Sequence, residues 1–183
     1  MDNRPIGVFD SGLGGLTVLR EIHKRLANED TVYFGDTARV PYGPRSKETI
    51  IKYTFQAINF LIQQDVKAIV IACNTATARA LEEAKAEYNV PIIGVIEAGA
   101  RSAVEYTNNK VVGVIGTLGT INSKAYVNTI RSMDESIRVI DKACPLFVPL
   151  VEEGWANEEI SSTAAHMYLD ELVEKGVDSI VLG

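Results

Sequence analysis

Cys73 follows the apolar run Ala68-Ile69-Val70-Ile71-Ala72 and precedes the helix-like Ala76-Thr77-Ala78-Arg79-Ala80-Leu81, which puts its thiol at the carboxyl end of a strand. Ligands of open α/β sheets bind at such ends, and a helix N-terminus favours a thiolate, lowering a thiol pKa from about 8.5. A buried packing thiol is the competing role, since free cysteine is commonly buried. Asn74, Thr75 and Thr77 beside it are polar groups that a purely apolar core would avoid. A second strand end carries Asp10-Ser11-Gly12-Leu13-Gly14-Gly15, a turn that opens a helix and whose backbone N–H groups could hold a carboxylate or phosphate. A tight turn alone explains the glycines but not Asp10 and Ser11. The turn fails the dinucleotide fingerprint, because Thr17 stands where a third Gly or Ala is needed, and no Walker sequence occurs.

The segment Gly35-Asp36-Thr37-Ala38-Arg39-Val40-Pro41-Tyr42-Gly43-Pro44-Arg45 is longer than a simple strand-to-helix connection and could wall a pocket. Pro41 and Pro44 would stiffen it so that Tyr42 and the Gly43 amide face a ligand; alternatively Tyr42 packs beneath the loop. Glu152 and Glu153 follow the apolar run Phe147-Val148-Pro149-Leu150-Val151, which could turn one carboxylate inward, although adjacent acidic residues are mostly solvated. His23 and His166 lie in helical patterns among charged neighbours and read as surface residues, while Cys144, before Pro145, reads as a packing thiol. Two cysteines and two histidines, far apart, give neither a metal-ligand cluster nor a disulfide framework. The stripe Tyr53, Phe55, Ile58, Phe60, Leu61 and Ile62 reads as core.

These residues need elements to hold them. Short apolar stretches alternate with amphipathic ones, the pattern of parallel strands joined by crossover helices. Strands are expected at 6–10, 31–35, 68–72, 91–96, 111–116, 136–141 and 178–182, and helices near 14–27, 46–64, 75–88, 97–107, 120–132 and 157–175. Ser46 and Ser161 stand where N-caps would sit. The chain of 183 residues is 46% hydrophobic, enough for one large domain or two small ones. Its 18 Lys and Arg against 24 Asp and Glu give a net charge of −6, which disfavours polynucleotide and anionic membrane surfaces as partners. No apolar run reaches the ~18 residues of a spanning helix, and the start has no signal-peptide pattern, so a cytoplasmic location is expected.

Gly7-Val8-Phe9-Asp10-Ser11 is echoed by Gly113-Val114-Ile115-Gly116-Thr117, and Val66–Ala72 by Val177–Gly183. The chain is therefore expected to comprise two similar halves, a first α/β domain at 1–97 and a second at 98–183, divided near Glu97-Ala98-Gly99. Gly183 closes an apolar strand with no helix after it, so the chain is expected to be incomplete at its C-terminus, the second domain unfinished.

Taken together, Asp10-Ser11-Gly12-Leu13-Gly14-Gly15, the Gly35–Gly43 segment and Cys73-Asn74-Thr75-Ala76 resemble the aspartate/glutamate racemase family, and glutamate racemase within it. The likeness continues through Gly116-Thr117 and Cys144–Gly154. The resemblance implies an α/β fold of two similar three-layer domains with parallel sheets. It also implies cofactor-independent interconversion of L- and D-glutamate for cell-wall peptidoglycan, with two cysteines on opposite faces of Cα. Cys73 would be one base, Asp10 and Glu152 would assist proton transfer, and Ser11, Tyr42, Gly43, Asn74, Thr75 and Thr117 would bind substrate, as would Asp10; a homodimer is compatible with it. In the family the last strand runs into a Cys-Thr-His motif bearing the second cysteine, and the following segment returns to complete the first domain. This chain stops before that motif, so on this reading it is not itself a competent racemase. Aspartate or hydantoin racemization shares the cysteine and the Asp10-Ser11 turn, whereas Pro41-Tyr42-Gly43 and Asn74-Thr75 favour glutamate. A noncatalytic dicarboxylate-binding or regulatory fragment is the alternative from another class. A Cys-His hydrolase fits least, since neither histidine is placed to activate Cys73.

Overall fold

The computed structural model describes residues 2–183, and its contacts divide the chain into Met1–Val95 and Ile96–Gly183. The first unit runs β1 (Ile6–Asp10), α1 (Leu16–Arg25), β2 (Thr31–Gly35), α2 (Lys47–Gln63), β3 (Ala68–Ile71), α3 (Asn74–Glu87) and β4 (Ile92–Gly94). Its sheet has the order β2-β1-β3-β4, parallel throughout. Successive strand side chains point to opposite faces, and here both faces are covered. Val8 packs with Val18, Leu19 and Ile22 of α1, whereas Phe9 joins Ile50, Ile58 and Leu61 of α2 and Ala76 and Ala84 of α3. That double burial is why β1 reads as an apolar run up to Phe9. Ser46 caps α2 as expected, its hydroxyl accepting the Thr49 N–H at 3.3 Å.

The second unit runs α4 (Ile96–Tyr106), β5 (Val111–Gly116), α5 (Leu118–Ser123), α6 (Ala125–Met133), β6 (Arg138–Ala143), α7 (Phe147–Glu152), α8 (Glu159–Glu174) and β7 (Ser179–Leu182). Its parallel sheet has the order β6-β5-β7. Ile115 and Leu172 form a core with Phe147, Tyr168 and Leu169, while α4 packs on α6 and β7. The strand order of the first three strands is thus repeated. Gly7 pairs with Ile69 as Gly113 pairs with Ile180, and the Ala72 N–H donates to Phe9 O at 2.7 Å as Gly183 N–H donates to Ile115 O at 2.6 Å. The two sequence echoes are the central strands and their third-strand neighbours.

The structure departs from the expected elements in several places. The helix expected at 120–132 is two helices, broken at Lys124, whose φ of 58° is left-handed. β4 ends at Gly94, where a side chain would meet Thr77 Cγ2 at 2.3 Å, and α4 begins at Ile96, so Glu97-Ala98-Gly99 lies inside a helix. The contact division falls between Val95 and Ile96. Ser161 is not a cap: Glu158 holds that position, and the Ser161 hydroxyl donates to Trp155 O at 2.7 Å. The apolar run after Leu146 is a short helix, α7. Among the described residues no helix is long and apolar enough to cross a membrane.

Candidate active site

β1 and β3 lie side by side, so the residues that follow them share one end of the sheet. Asp10, the last residue of β1, is 6% exposed. Its Oδ2 accepts the N–H of Gly12 at 3.1 Å and of Gly15 at 2.9 Å. Two of the amides that could bind an outside anion, those of Gly12 and Gly15, are therefore engaged by the protein's own carboxylate. The fit excludes a side chain at Gly15, whose Cβ would lie 2.6 Å from Asp10 Cβ. From β2 the Tyr33 hydroxyl donates to Gly12 O at 2.9 Å. Burial raises the Tyr33 pKa, and the neighbouring Asp10 charge adds to that rise.

Cys73 is the N-cap of α3, with its Sγ accepting the Ala76 N–H at 3.4 Å. Its thiol donates to the Ser11 hydroxyl at 3.3 Å. Burial pushes the thiol pKa up, the Asp10 charge pushes it further, and the Ser11 and Ala76 hydrogen bonds act the other way. The helix terminus was expected to lower it; desolvation outweighs that effect. Asn74 and Thr75 open α3, half-buried and buried respectively. The Thr77 hydroxyl returns to Ile71 O at 3.0 Å.

The loop after β2 is organised by Asp36, which is 5% exposed. Its N–H donates to Asp10 O at 3.0 Å. Its carboxylate accepts the Tyr42 hydroxyl and pairs with Arg39 Nε at 2.7 Å. The Arg39 guanidinium lies 4.2 Å above the Tyr53 ring and donates to Gln56. Of the two alternatives for Tyr42, the side chain packs beneath the loop. It is 2% exposed, against Phe9 and Tyr53 with ring centroids 6.3 and 5.7 Å away. Gly43 beside it is buried, in a turn closed by the Arg45 N–H on Tyr42 O at 3.0 Å.

Two candidates belong to the second unit. Thr117 caps α5, its hydroxyl oxygen accepting the Thr120 N–H at 3.2 Å. Glu152 ends α7 and is exposed, as is Glu153. At 100° per residue Glu152 points about 200° away from buried Leu150, so the apolar run does not turn it into its own unit's core. Cys144 lies in the apolar cluster with Ile115 and Leu172, its thiol 3.7 Å from Lys142 O. His23 and His166 are exposed, on Thr31 and Asp170. Among the described residues no group of three or more His, Cys, Asp or Glu could hold a metal ion. Tyr33 and the pairing role of Asp36 escaped the sequence reading; a tyrosine in an otherwise apolar strand and an acid three residues before an arginine were the available signals.

The two halves have like strand order, and in the first a thiol, a hydroxyl and a carboxylate converge at one sheet end, groups whose chemistry is proton transfer and hydrogen bonding. The family model for Asp/Glu/Hydantoin racemases matches residues 6–183. A glutamate racemase of Geobacter metallireducens is 53% identical over 98% of this chain and 67% of its own length. A glutamate racemase structure from Bacillus anthracis superposes with a TM-score of 0.95 at 39% identity. One from Francisella tularensis, in complex with D-glutamate, gives 0.92 at 44%. Each covers 100% of this chain and 68% of the other. The chain belongs to the Asp/Glu/Hydantoin racemase family, and it spans about two thirds of the length of these relatives.

Proposed function

We propose that the chain carries out the Cys73 half of a cofactor-independent glutamate racemase, with L- and D-glutamate as substrates and the D-isomer destined for peptidoglycan. The observation that carries this is the meeting of Cys73 with Ser11 at 3.3 Å beside buried Asp10, in a family whose relatives here are glutamate racemases. In the reaction the Cα–H bond breaks, its proton goes to the Cys73 sulfur as the thiolate, and the electron pair stays on Cα. A proton delivered from the other face completes inversion, a two-base form of general acid–base catalysis. The reading assigns that second donor to no thiol in these residues, since Cys144 sits among apolar side chains.

The raised pKa of Cys73 fits this chemistry. Asp10 opposes the thiolate while its charge is unpaired; the ammonium of a bound amino acid would pair that charge and ease loss of the thiol proton to solvent before the Cα–H bond breaks. Amide donors of the Ser11, Gly43 and Thr75 loops would hold the α-carboxylate as charge grows on it. Ser11, Asn74 and Thr75 would contact the amino acid directly, Tyr42 through its backbone since its hydroxyl is engaged, and Asp10 through the ammonium. Thr117 and Glu152 keep the roles the family pattern gives them, substrate binding and assistance to proton transfer. No pyridoxal-type electron sink is invoked, so stabilising the carbanion falls to the pocket. A cytoplasmic location and a homodimer complete the reading.

Proton NMR in D₂O with each glutamate enantiomer tests it. The unaltered chain should lose the α-proton signal of at least one enantiomer, and Cys73→Ala should not. Exchange that survives Cys73→Ala overturns the base assignment. Exchange of aspartate but not glutamate overturns the substrate, and binding without exchange supports a noncatalytic role.

A further inference from the structure

Asp10 and Asp36 are the two carboxylates that the described residues bury. Asp10 has its part in the site, whereas Asp36 has none so far. Burying a charge is costly unless it is paired and hydrogen-bonded, and the Asp36 carboxylate has two partners while its backbone is held as well. Its N–H continues the ladder to Asp10 O at 3.0 Å, its carboxylate pairs with Arg39 at 2.7 Å, and it accepts the Tyr42 hydroxyl. The Tyr42 ring is fixed in the core, so hydroxyl and ring together pin both ends of that side chain. The next residue is Gly43, at the corner of the turn closed by Arg45 on Tyr42 O.

We propose that Asp36 is a positioning residue for amino-acid binding: by gripping Tyr42 and Arg39 it sets the Gly43 corner relative to Asp10 and Cys73. This rests on the reading that Gly43 binds glutamate. Asp36 touches neither substrate nor the migrating proton, so it acts on substrate affinity rather than on proton transfer. Asp36→Asn removes the ion pair at nearly constant volume. Tyr42→Phe removes only the hydroxyl and leaves the ring in place.

The test is saturation kinetics of α-proton exchange and calorimetric titration with L- and D-glutamate on the full chain, with melting curves alongside. Asp36→Asn should raise KM and Kd about 10-fold or more while kcat changes less than about threefold, and Tyr42→Phe should act in the same direction more weakly. The double variant should be no worse than Asp36→Asn alone, because both changes delete one tie. A merely structural role would lower Tm and leave the KM of the folded fraction unmoved, which overturns the proposal. Equal losses in kcat and kcat/KM, or additive effects of the two changes, also overturn it. If Asp36→Asn does not fold, Tyr42→Phe decides. An unaltered chain that neither binds nor exchanges glutamate overturns the racemase reading itself and this proposal with it.

Discussion

Cys73 and Cys144 each follow the carboxyl end of a parallel strand, β3 and β6, and both are buried. Burial pushes both thiols above the ordinary cysteine range. Their companions differ. Cys73 caps a helix of 14 residues and meets Ser11, Ala76 N–H and the field of Asp10. Cys144 faces Ile115, Leu172 and Phe147, and the nearby Lys142 charge pulls its pKa down where Asp10 pushes that of Cys73 up. Depth of burial therefore does not distinguish the two thiols; the groups around the sulfur do.

The largest effect should separate the two thiols outright. Cys73→Ala is expected to slow α-proton exchange at least about 10²–10⁴-fold, while Cys144→Ala leaves exchange at the unaltered rate and lowers stability by about 1–2 kcal/mol through the cavity left beside Leu172. Loss of exchange in Cys144→Ala would erase the distinction. A finer effect lies in acidity. Asp10→Asn deletes one cause that raises the Cys73 pKa, so the pH midpoint of Cys73 alkylation should move down, with no movement at Cys144. Peptide mapping after iodoacetamide at a series of pH values reads both sites together.

The same shift appears in stability against pH. A thiol whose folded pKa lies above its unfolded value favours the folded state fully below about pH 8.5, and that contribution fades as pH climbs toward the folded pKa. Tm should fall above that pH, and Cys73→Ser should flatten the decline. The smallest expected effect is Ser46→Ala, a loss of about 1 kcal/mol from the N-cap of α2, measured by urea denaturation.

Much of this was legible before the structure. β1, β2 and β5 occupy the residues expected of them because strands flanked by helices on both faces are written as runs of apolar residues. β6 contains Arg138, Asp141 and Lys142 in place of an apolar run, and it is displaced by two residues from its expected start. The break at Lys124 has no Gly or Pro to announce it, and α7, six residues with Pro149 inside, is too short for a helical period. At the site, Asp10, Ser11 and Cys73 could be found from position alone. Tyr33 was marked only as a tyrosine in an apolar strand, because its partner Gly12 is 21 residues away across a strand pair. The orientation of Tyr42 turned on Asp36, six residues earlier, whose carboxylate the sequence does not mark as buried.

The sulfur of Cys73 is also the cap of α3, so any change in its protonation acts on a fold element. Serine or aspartate would hold a helix start more firmly, so cysteine here gives up some anchoring strength in exchange for an ionizable atom. When that atom loses its proton it becomes a charged acceptor at the positive end of the helix, and the start of α3 tightens. If Cys73 is the base proposed above, each transfer of its proton would alternately firm and loosen one turn of the scaffold. Serine at position 73 would leave that turn permanently firm and chemically silent.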